Sequence, residues 1–286
     1  MSEQVLRADA AIAEAAPAKL NLALHVRRRR ADGYHDLETL FVFAADGDRV
    51  TVSTGPAAFQ ITGPFARGFE PCDDNLVIRA ERAFAAAFGV ATSHAIMLDK
   101  HLPVASGIGG GSADAAATLR ALARLHGVAP DDARLFAIAA GLGADVPACL
   151  LGRASLGTGK GDALEPIAEL GDVPALLVNP GVAVPTGRVF AAWDGVDRGG
   201  IAGGGSALDR AIAGRNDLQP AAEAVAPVIA EVIALLKRQA GVRFARMSGS
   251  GATCFALFDT IGDRDAAARD MAARHPEWWQ LSTVIA

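Results

Sequence analysis

The sequence predicts a mixed α/β fold of the α+β class, and three observations carry it. Segments with strand periodicity alternate with segments of helical periodicity along all 286 residues. Between Ala95 and Leu119 a strand pattern, a glycine-dense loop and an alanine-rich helical run follow one another without a break. Near the C-terminus, the helical spacing of Val225, Val228, Ile229, Val232, Ile233 and Leu236 is followed by two strand segments around Ser248-Gly-Ser-Gly251.

Taken in order, Met1–Ala16 mixes acidic and basic residues with alanines and lacks the basic start and apolar block of a secretory signal. It reads as a short frayed leader on a cytoplasmic enzyme. Lys19–Val26 alternates apolar and polar residues as a half-buried strand does, and Glu38–Phe43 is a second strand. Arg27–Arg30 and the turn Asp32-Gly33 lie between them and read as a solvated loop near an anionic ligand rather than a nucleic-acid patch. Arg49–Ser53 and Phe59–Thr62 read as further strands, and Asn75–Phe88 as a helix capped by Asp73 or Asp74 and stopped by Gly89.

The helix after the glycine loop runs to about Gly127, and another follows from Pro130 to Gly141. Gly143–Leu150 enters a short apolar element. The glycines from Gly152 to Gly161 read as turns, because Gly161 stands where a Walker loop needs Ser or Thr. Ala175–Asn179 is a buried-type strand, Thr186–Trp193 a short helix, and Gly199–Gly205 a flexible linker. Ala221–Ala240 reads as one amphipathic helix ended by Gly241. Arg243–Met247 and Cys254–Phe258 are strands, Asp263–His275 a helix, and Thr283–Ile285 a last strand.

Composition narrows the function. The net charge is −5, which does not favour nucleic acid. No apolar run approaches a membrane span. The three cysteines, Cys72, Cys149 and Cys254, form neither a pair nor a metal-ligand cluster and read as small buried residues. Lysine occurs only at positions 19, 100, 160 and 237, so a lysine in an apolar setting stands out.

The loop Pro103-Val104-Ala105-Ser106-Gly107-Ile108-Gly109-Gly110-Gly111-Ser112-Ala113 is where chemistry is expected. Glycines let backbone N–H groups face an anion, and the helix that follows offers unpaired amides and the positive end of its dipole. A phosphate-bearing ligand fits. No Gly-Lys-Ser/Thr ends the loop, and Ser112 replaces the last glycine of a dinucleotide fingerprint.

That loop resembles the phosphate loop of the galactokinase, homoserine kinase, mevalonate kinase and phosphomevalonate kinase (GHMP kinase) superfamily. Pro17-Ala-Lys-Leu-Asn-Leu22, Ala31-Asp-Gly-Tyr-His35 with Glu38-Thr-Leu-Phe41, Gly143-Ala-Asp-Val-Pro147 and Ser248-Gly-Ser-Gly-Ala-Thr253 extend the resemblance from about Pro17 to Phe258. It implies a two-lobed GHMP kinase fold. An N-terminal lobe like ribosomal protein S5, residues 1–165, holds the nucleotide loop, and a ferredoxin-like C-terminal lobe, residues 166–286, stands on the acceptor side.

The specific motifs are similar to the branch that uses ATP to phosphorylate the 2-hydroxyl of a cytidine-diphosphate-bearing methylerythritol in non-mevalonate isoprenoid precursor synthesis. The alternatives are a homoserine- or mevalonate-type kinase and a non-catalytic nucleotide-binding protein. By this resemblance Asp145 is the catalytic carboxylate and Lys19 its cationic partner. Asn21, on the same strand face as Lys19, binds the acceptor hydroxyl. Tyr34 and His35 meet the cytosine ring, with Phe190 as the second stacking face and Thr186 nearby. Asn75 and Lys100 lie near the adenine or its ribose. Mg²⁺ accompanies ATP, with Ser112 and Asp145 as candidate ligands. Ser106, where the family commonly has glycine, either donates to phosphate or tightens the loop. The partner is a small molecule, with no nucleic acid or membrane, and the protein is a monomer or homodimer.

Overall fold

The computed structural model describes residues 11–67 and 75–285. Strand β1, Ala11–Arg29, and strand β2, His35–Thr54, form one long antiparallel hairpin that pairs Ala11 with Ser53 and Arg29 with His35. Residues Ala11–Ala16, read as leader, therefore belong to β1. The strand segments expected at Glu38–Phe43 and Arg49–Ser53 are one continuous strand. Register shifts interrupt the hairpin between Pro17 and Lys19 and between Asn21 and Ala23. Such irregularities re-aim side chains, and these two fall beside the buried polar residues Lys19 and Asn21.

Strand β3 (Ala58–Thr62) runs parallel to β4 (His94–Asp99), and β4 pairs with the distal half of β2. Helix α1 (Leu76–Phe88) is capped by Asn75, whose side chain accepts from the Val77 amide. The expected caps Asp73 and Asp74 lie outside the described residues, as does Cys72. Helices α2 (Gly110–Leu125), α3 (Ala133–Leu142) and α4 (Val146–Leu151) pack with α1 on one sheet face, around Phe84, Leu119, Leu122 and Val146. Strands β5 (Ser155–Thr158) and β6 (Ala163–Pro166) form a hairpin around the expected turn and add to β2.

The second half builds on β7 (Val173–Asn179), β8 (Val242–Met247), β9 (Cys254–Phe258) and β10 (Trp279–Ile285), in the order β10-β7-β9-β8. A single rung, Ile285 with Ala44, joins this sheet to β2. Helices α5 (Thr186–Ala191), α6 (Ala207–Ala213), α7 (Gln219–Val225), α8 (Val228–Lys237) and α9 (Ile261–Arg274) complete the chain.

The single helix expected over Ala221–Ala240 is two helices. Pro227 keeps Ala226 out of helical geometry (φ −139°, ψ 88°), so the apolar periodicity continues across a break. Helix α6 was not anticipated. It opens with a reciprocal capping box between Ser206 and Asp209. Nor is the glycine-dense segment before it unattached. Ile201 is buried, its amide donates to Glu38 Oε2 at 2.8 Å, and the Gly199 carbonyl meets His25 Nδ1 at 3.1 Å.

Three apolar clusters result. One lies under α1–α4 and one under α7–α9, while a third between the two halves joins Leu20, Leu22, Leu40 and Val42 to Leu177, Phe255 and Leu257. Strand β1 contributes to the second cluster through Leu24 and Val26 as well as to the third.

Candidate active site

A cavity of about 990 Å³ opens where the halves meet, and both line it. Its floor is β1. Lys19 is 2% exposed, and its ammonium reaches Asp145 Oδ2 at 3.0 Å and Asn21 Oδ1 at 2.9 Å, 5.3 Å from the centre of the Phe41 ring. Asn21 in turn donates to Thr39 Oγ1 at 2.7 Å. Asp145 precedes α4 but makes no capping hydrogen bond, which leaves its half-exposed carboxylate for Lys19 and the cavity.

The glycine loop forms the next wall. Gly107 has φ +79°, and a Cβ there would lie 2.5 Å from the Gly251 carbonyl. Gly109 has φ +66°, and its Cβ would press on Lys19 Cε at 3.0 Å. Close approach as well as dihedral angle therefore demands glycine at both. The Lys19 amide donates to the Ile108 carbonyl at 2.9 Å, tying the loop to β1. Helix α2 begins at Gly110 with no side-chain cap and no acidic residue in its first turn, so its leading amides are free for an anion. Ile108 and Ala113 turn inward and are buried; the other residues named in the loop line the cavity. Ser106 tightens the loop, since its hydroxyl donates to the Pro103 carbonyl at 2.6 Å.

The Ser248-Gly-Ser-Gly turn connects β8 and β9 and packs against this loop. Ser248 Oγ accepts from the Asn21 amide and donates to the Gly107 carbonyl, both at 3.2 Å, and the Thr253 amide donates to the Ser106 carbonyl at 3.1 Å. Asn216 braces the turn by donating to the carbonyls of Met247 and Gly249, each at 2.8 Å. No motif in the sequence singles Asn216 out.

At the far end lies an aromatic slot. His35 is 8% exposed, 5.0 Å from Phe190 and 5.7 Å from Trp193 between ring centres. Its Nε2 and the Trp193 Nε1 are buried without a partner. Burial first, and then the Arg29 guanidinium, lower the His35 pKa, so the ring is neutral at neutral pH. Arg29 donates to the Ala191 and Trp193 carbonyls at 2.9 and 2.8 Å and so ties the end of α5 to the β1–β2 turn. Tyr34 is 55% exposed at the rim, with Lys160 Nζ 5.0 Å from its ring centre. Lys160 sits in the β5–β6 turn, whose glycines concealed its place on the cavity. Thr186 Oγ1 lies 2.9 Å from Ser250 Oγ. The other arginines of the basic run, Arg27, Arg28 and Arg30, are paired with carboxylates.

Asn75 and Lys100 line the cavity, but Lys100 offers it no free ammonium. The side chain is 3% exposed and held between Asp48 and Asp114. Desolvation opposes its charge, yet Asp114 and Asp48 outweigh that and raise its pKa. Burial, with Asp48 adding to it, pushes the Asp114 carboxyl up to about 7 against the pull of Lys100.

A loop of main-chain donors facing a lysine–carboxylate pair across one cavity is an arrangement for phosphoryl transfer. The GHMP kinases N terminal domain matches residues 75–153, and the GHMP kinases C terminal domain matches residues 198–277. The chain belongs to the GHMP kinases and is an ATP-dependent small-molecule kinase. Within that family it is similar to proteins named 4-diphosphocytidyl-2-C-methyl-D-erythritol kinase. The one from Rhizorhabdus wittichii is 58% identical over 94% of this chain and 93% of its own length, and the one from Novosphingobium aromaticivorans is 50% identical over 95% and 92%. A crystal structure of 4-(cytidine 5′-diphospho)-2C-methyl-D-erythritol kinase superposes with a TM-score of 0.76 at 35% identity, over 96% of this chain and 99% of that one. Homoserine kinase from Cytophaga hutchinsonii shares the fold, with a TM-score of 0.69 at 18% identity over 100% and 98% of the two chains. Among the described residues no helix is long and apolar enough to cross a membrane.

Proposed function

We propose that this chain transfers the γ-phosphoryl group of ATP to the 2-hydroxyl of 4-diphosphocytidyl-2-C-methyl-D-erythritol, a step in isoprenoid precursor synthesis. The observation that carries the reading is the Lys19–Asp145 contact of 3.0 Å, set between the glycine loop and the aromatic slot of one cavity. The loop amides and the first turn of α2 hold the triphosphate. Asn21 and Asp145 hold the acceptor hydroxyl in line with it. Asp145 takes the proton as the new O–P bond forms and the bond to the bridging oxygen breaks, releasing ADP. Lys19 keeps the carboxylate placed and offsets charge developing on the transferred group.

His35, Phe190 and Tyr34 accept the cytosine end. Stacking a base on such rings is worth ~1–3 kcal/mol, and the unpartnered His35 Nε2 suits the polar edge of the base. Among the described residues no cluster of three or more His, Cys, Asp or Glu could hold a metal. Ser112 and Asp145, both on the cavity, are the protein oxygens that would hold Mg²⁺ carried by the triphosphate, and such an ion would offset phosphate charge. Cytoplasmic location and the monomer-or-homodimer state belong to the same proposal.

The test is ADP release measured with this acceptor, homoserine and mevalonate. Turnover with the cytidine compound alone is expected, and turnover with either other alcohol but not with it overturns the assignment. Asp145→Asn is expected to cut kcat by about 10²–10⁴ while ATP binding stays near wild type. Full turnover in that variant removes Asp145 from its role. His35→Ala is expected to raise the acceptor KM about tenfold, in line with loss of ~1–3 kcal/mol of base recognition, with the ATP KM unchanged.

A further inference from the structure

The phosphate loop departs from regular secondary structure, with Ala105, Gly107 and Gly109 all at positive φ, so its shape depends on how its two ends are fastened. The leading end is held by Asp48, from the middle of β2. One carboxylate oxygen, Oδ1, accepts from the amides of His101 and Leu102, the two residues just ahead of Pro103, at 2.5 and 2.7 Å. The other, Oδ2, accepts from Lys100 Nζ. The trailing end is α2, and Lys100 Nζ also donates to Asp114 Oδ2 in that helix at 2.8 Å. A methyl group on Gly110 would stand 3.2 Å from the same ammonium, so Lys100 lies directly behind the first residue of α2. Asp114 depends on this contact, because its second oxygen, Oδ1, is buried without a partner. The main chain of Lys100 is itself fixed: its amide donates to the Thr62 carbonyl at 2.8 Å, and its carbonyl accepts from Phe65 at 3.1 Å.

We propose that Asp48, Lys100 and Asp114 form a buried strut that keeps the two ends of the phosphate loop in register, and that Asp48 and Lys100 are thereby positioning residues for nucleotide binding. The inference rests on the reading that this loop receives the triphosphate. It gives the Lys100 side chain a role beyond the sequence-based expectation, which placed that residue near the adenine or its ribose. The strut acts through the loop and not through contact with the nucleotide. Its composition points the same way. The three side chains are 0–4% exposed, and burying such a set costs several kcal/mol that a well-packed apolar trio would not. Core filling alone does not call for it. Joining two loop amides to a helix start through hydrogen bonds of fixed direction does.

Two variants separate positioning from general stability. Asp114→Leu removes the link to α2 and leaves the Lys100–Asp48 pair. The double variant Lys100→Met/Asp114→Leu replaces two of the strut's three members with apolar volume and leaves Asp48 on its two backbone amides. The expected result is an ATP KM raised about tenfold or more in both, an acceptor KM within about twofold of wild type, and an ATP KM that stays raised even where the melting temperature is restored in the double variant. An ATP KM within about twofold of wild type, or one that recovers in step with the melting temperature, overturns the proposal. Should the double variant not fold, Asp114→Leu decides by the same comparison. Hydrogen exchange on the wild-type protein with a non-hydrolysable ATP analogue isolates the underlying reading. Absence of protection in residues 103–111 removes the loop from nucleotide binding, and the role of the strut with it. Protection together with an unchanged ATP KM in the variants removes the strut alone.

Discussion

At the scale of single residues, a buried histidine contact makes the fold sensitive to acid. His94 Nδ1 lies 2.8 Å from Glu81 Oε1, and its Nε2 lies 2.9 Å from His126 Nε2. With Glu81 accepting from Nδ1–H, the second contact needs one bare nitrogen, on His94, and one N–H, on His126. A proton on each ring would put two donors face to face. Burial first, then His94, lowers the His126 pKa. The sign follows: the unfolded chain takes up this proton near pH 6.5 and the native protein only below that, so stability present above pH 6.5 is lost as pH falls through that value. His126→Gln can still donate to His94 and cannot titrate. Its melting temperature is expected to fall less steeply than that of wild type between pH 7 and 5.5, and parallel curves would clear His126 of the effect. At this scale the motifs drew notice to Lys19, Tyr34 and His35, which are scarce residue types, and to Asp145, and all four line the cavity. The sequence was silent on Asp48, Asn216 and Lys160, whose places come from partners 31 to 54 residues away or from a turn that happens to face the cavity.

Among elements, the glycine loop carries a local backbone strain. Ala105 is the only non-glycine residue at positive φ among the described residues, at 51°. An L-residue pays ~1–2 kcal/mol for that conformation, and glycine returns part of the gain through the freedom it gives the unfolded chain. Ala105→Gly is therefore expected to stabilise by ~0.5–1 kcal/mol in denaturant unfolding. A loss of stability would show that the loop is held by contacts of that methyl. Element type was legible wherever pattern and punctuation agreed, as in α1 with Gly89 behind it and β7 with Pro180-Gly181 after it. It failed where periodicity outran local chemistry. The apolar stripe of α7 and α8 is continuous in spacing while Pro227 breaks the backbone, and β2 reads as two strands because the polar stretch Asp46–Asp48 interrupts its pattern, although Gly47 and Asp48 still pair with Pro17 and Ala16.

At the scale of the whole molecule, the two halves share a strand, a core cluster and the seam where the Ser248–Gly251 turn locks onto Gly107. The family motifs gave the two-lobed plan; the shared cluster between Leu20 and Phe255 could not be read from either segment alone, because it exists only once both are folded. The uninterrupted cavity has a practical corollary for inhibition. With the loop taking the nucleotide and the aromatic slot the cytosine, as proposed above, a compound that tethers an adenine nucleotide to a cytidine by a chain long enough to pass Lys19 would fill both ends at once, and its second end would dock at a high effective concentration set by the tether. Such a hybrid is expected to inhibit about 10²-fold or more better than either fragment and to compete with both substrates in steady-state kinetics. A hybrid no better than its stronger half would mean that the route past Lys19 is closed to a linker, and that selective drugs against this enzyme must be built for one end at a time.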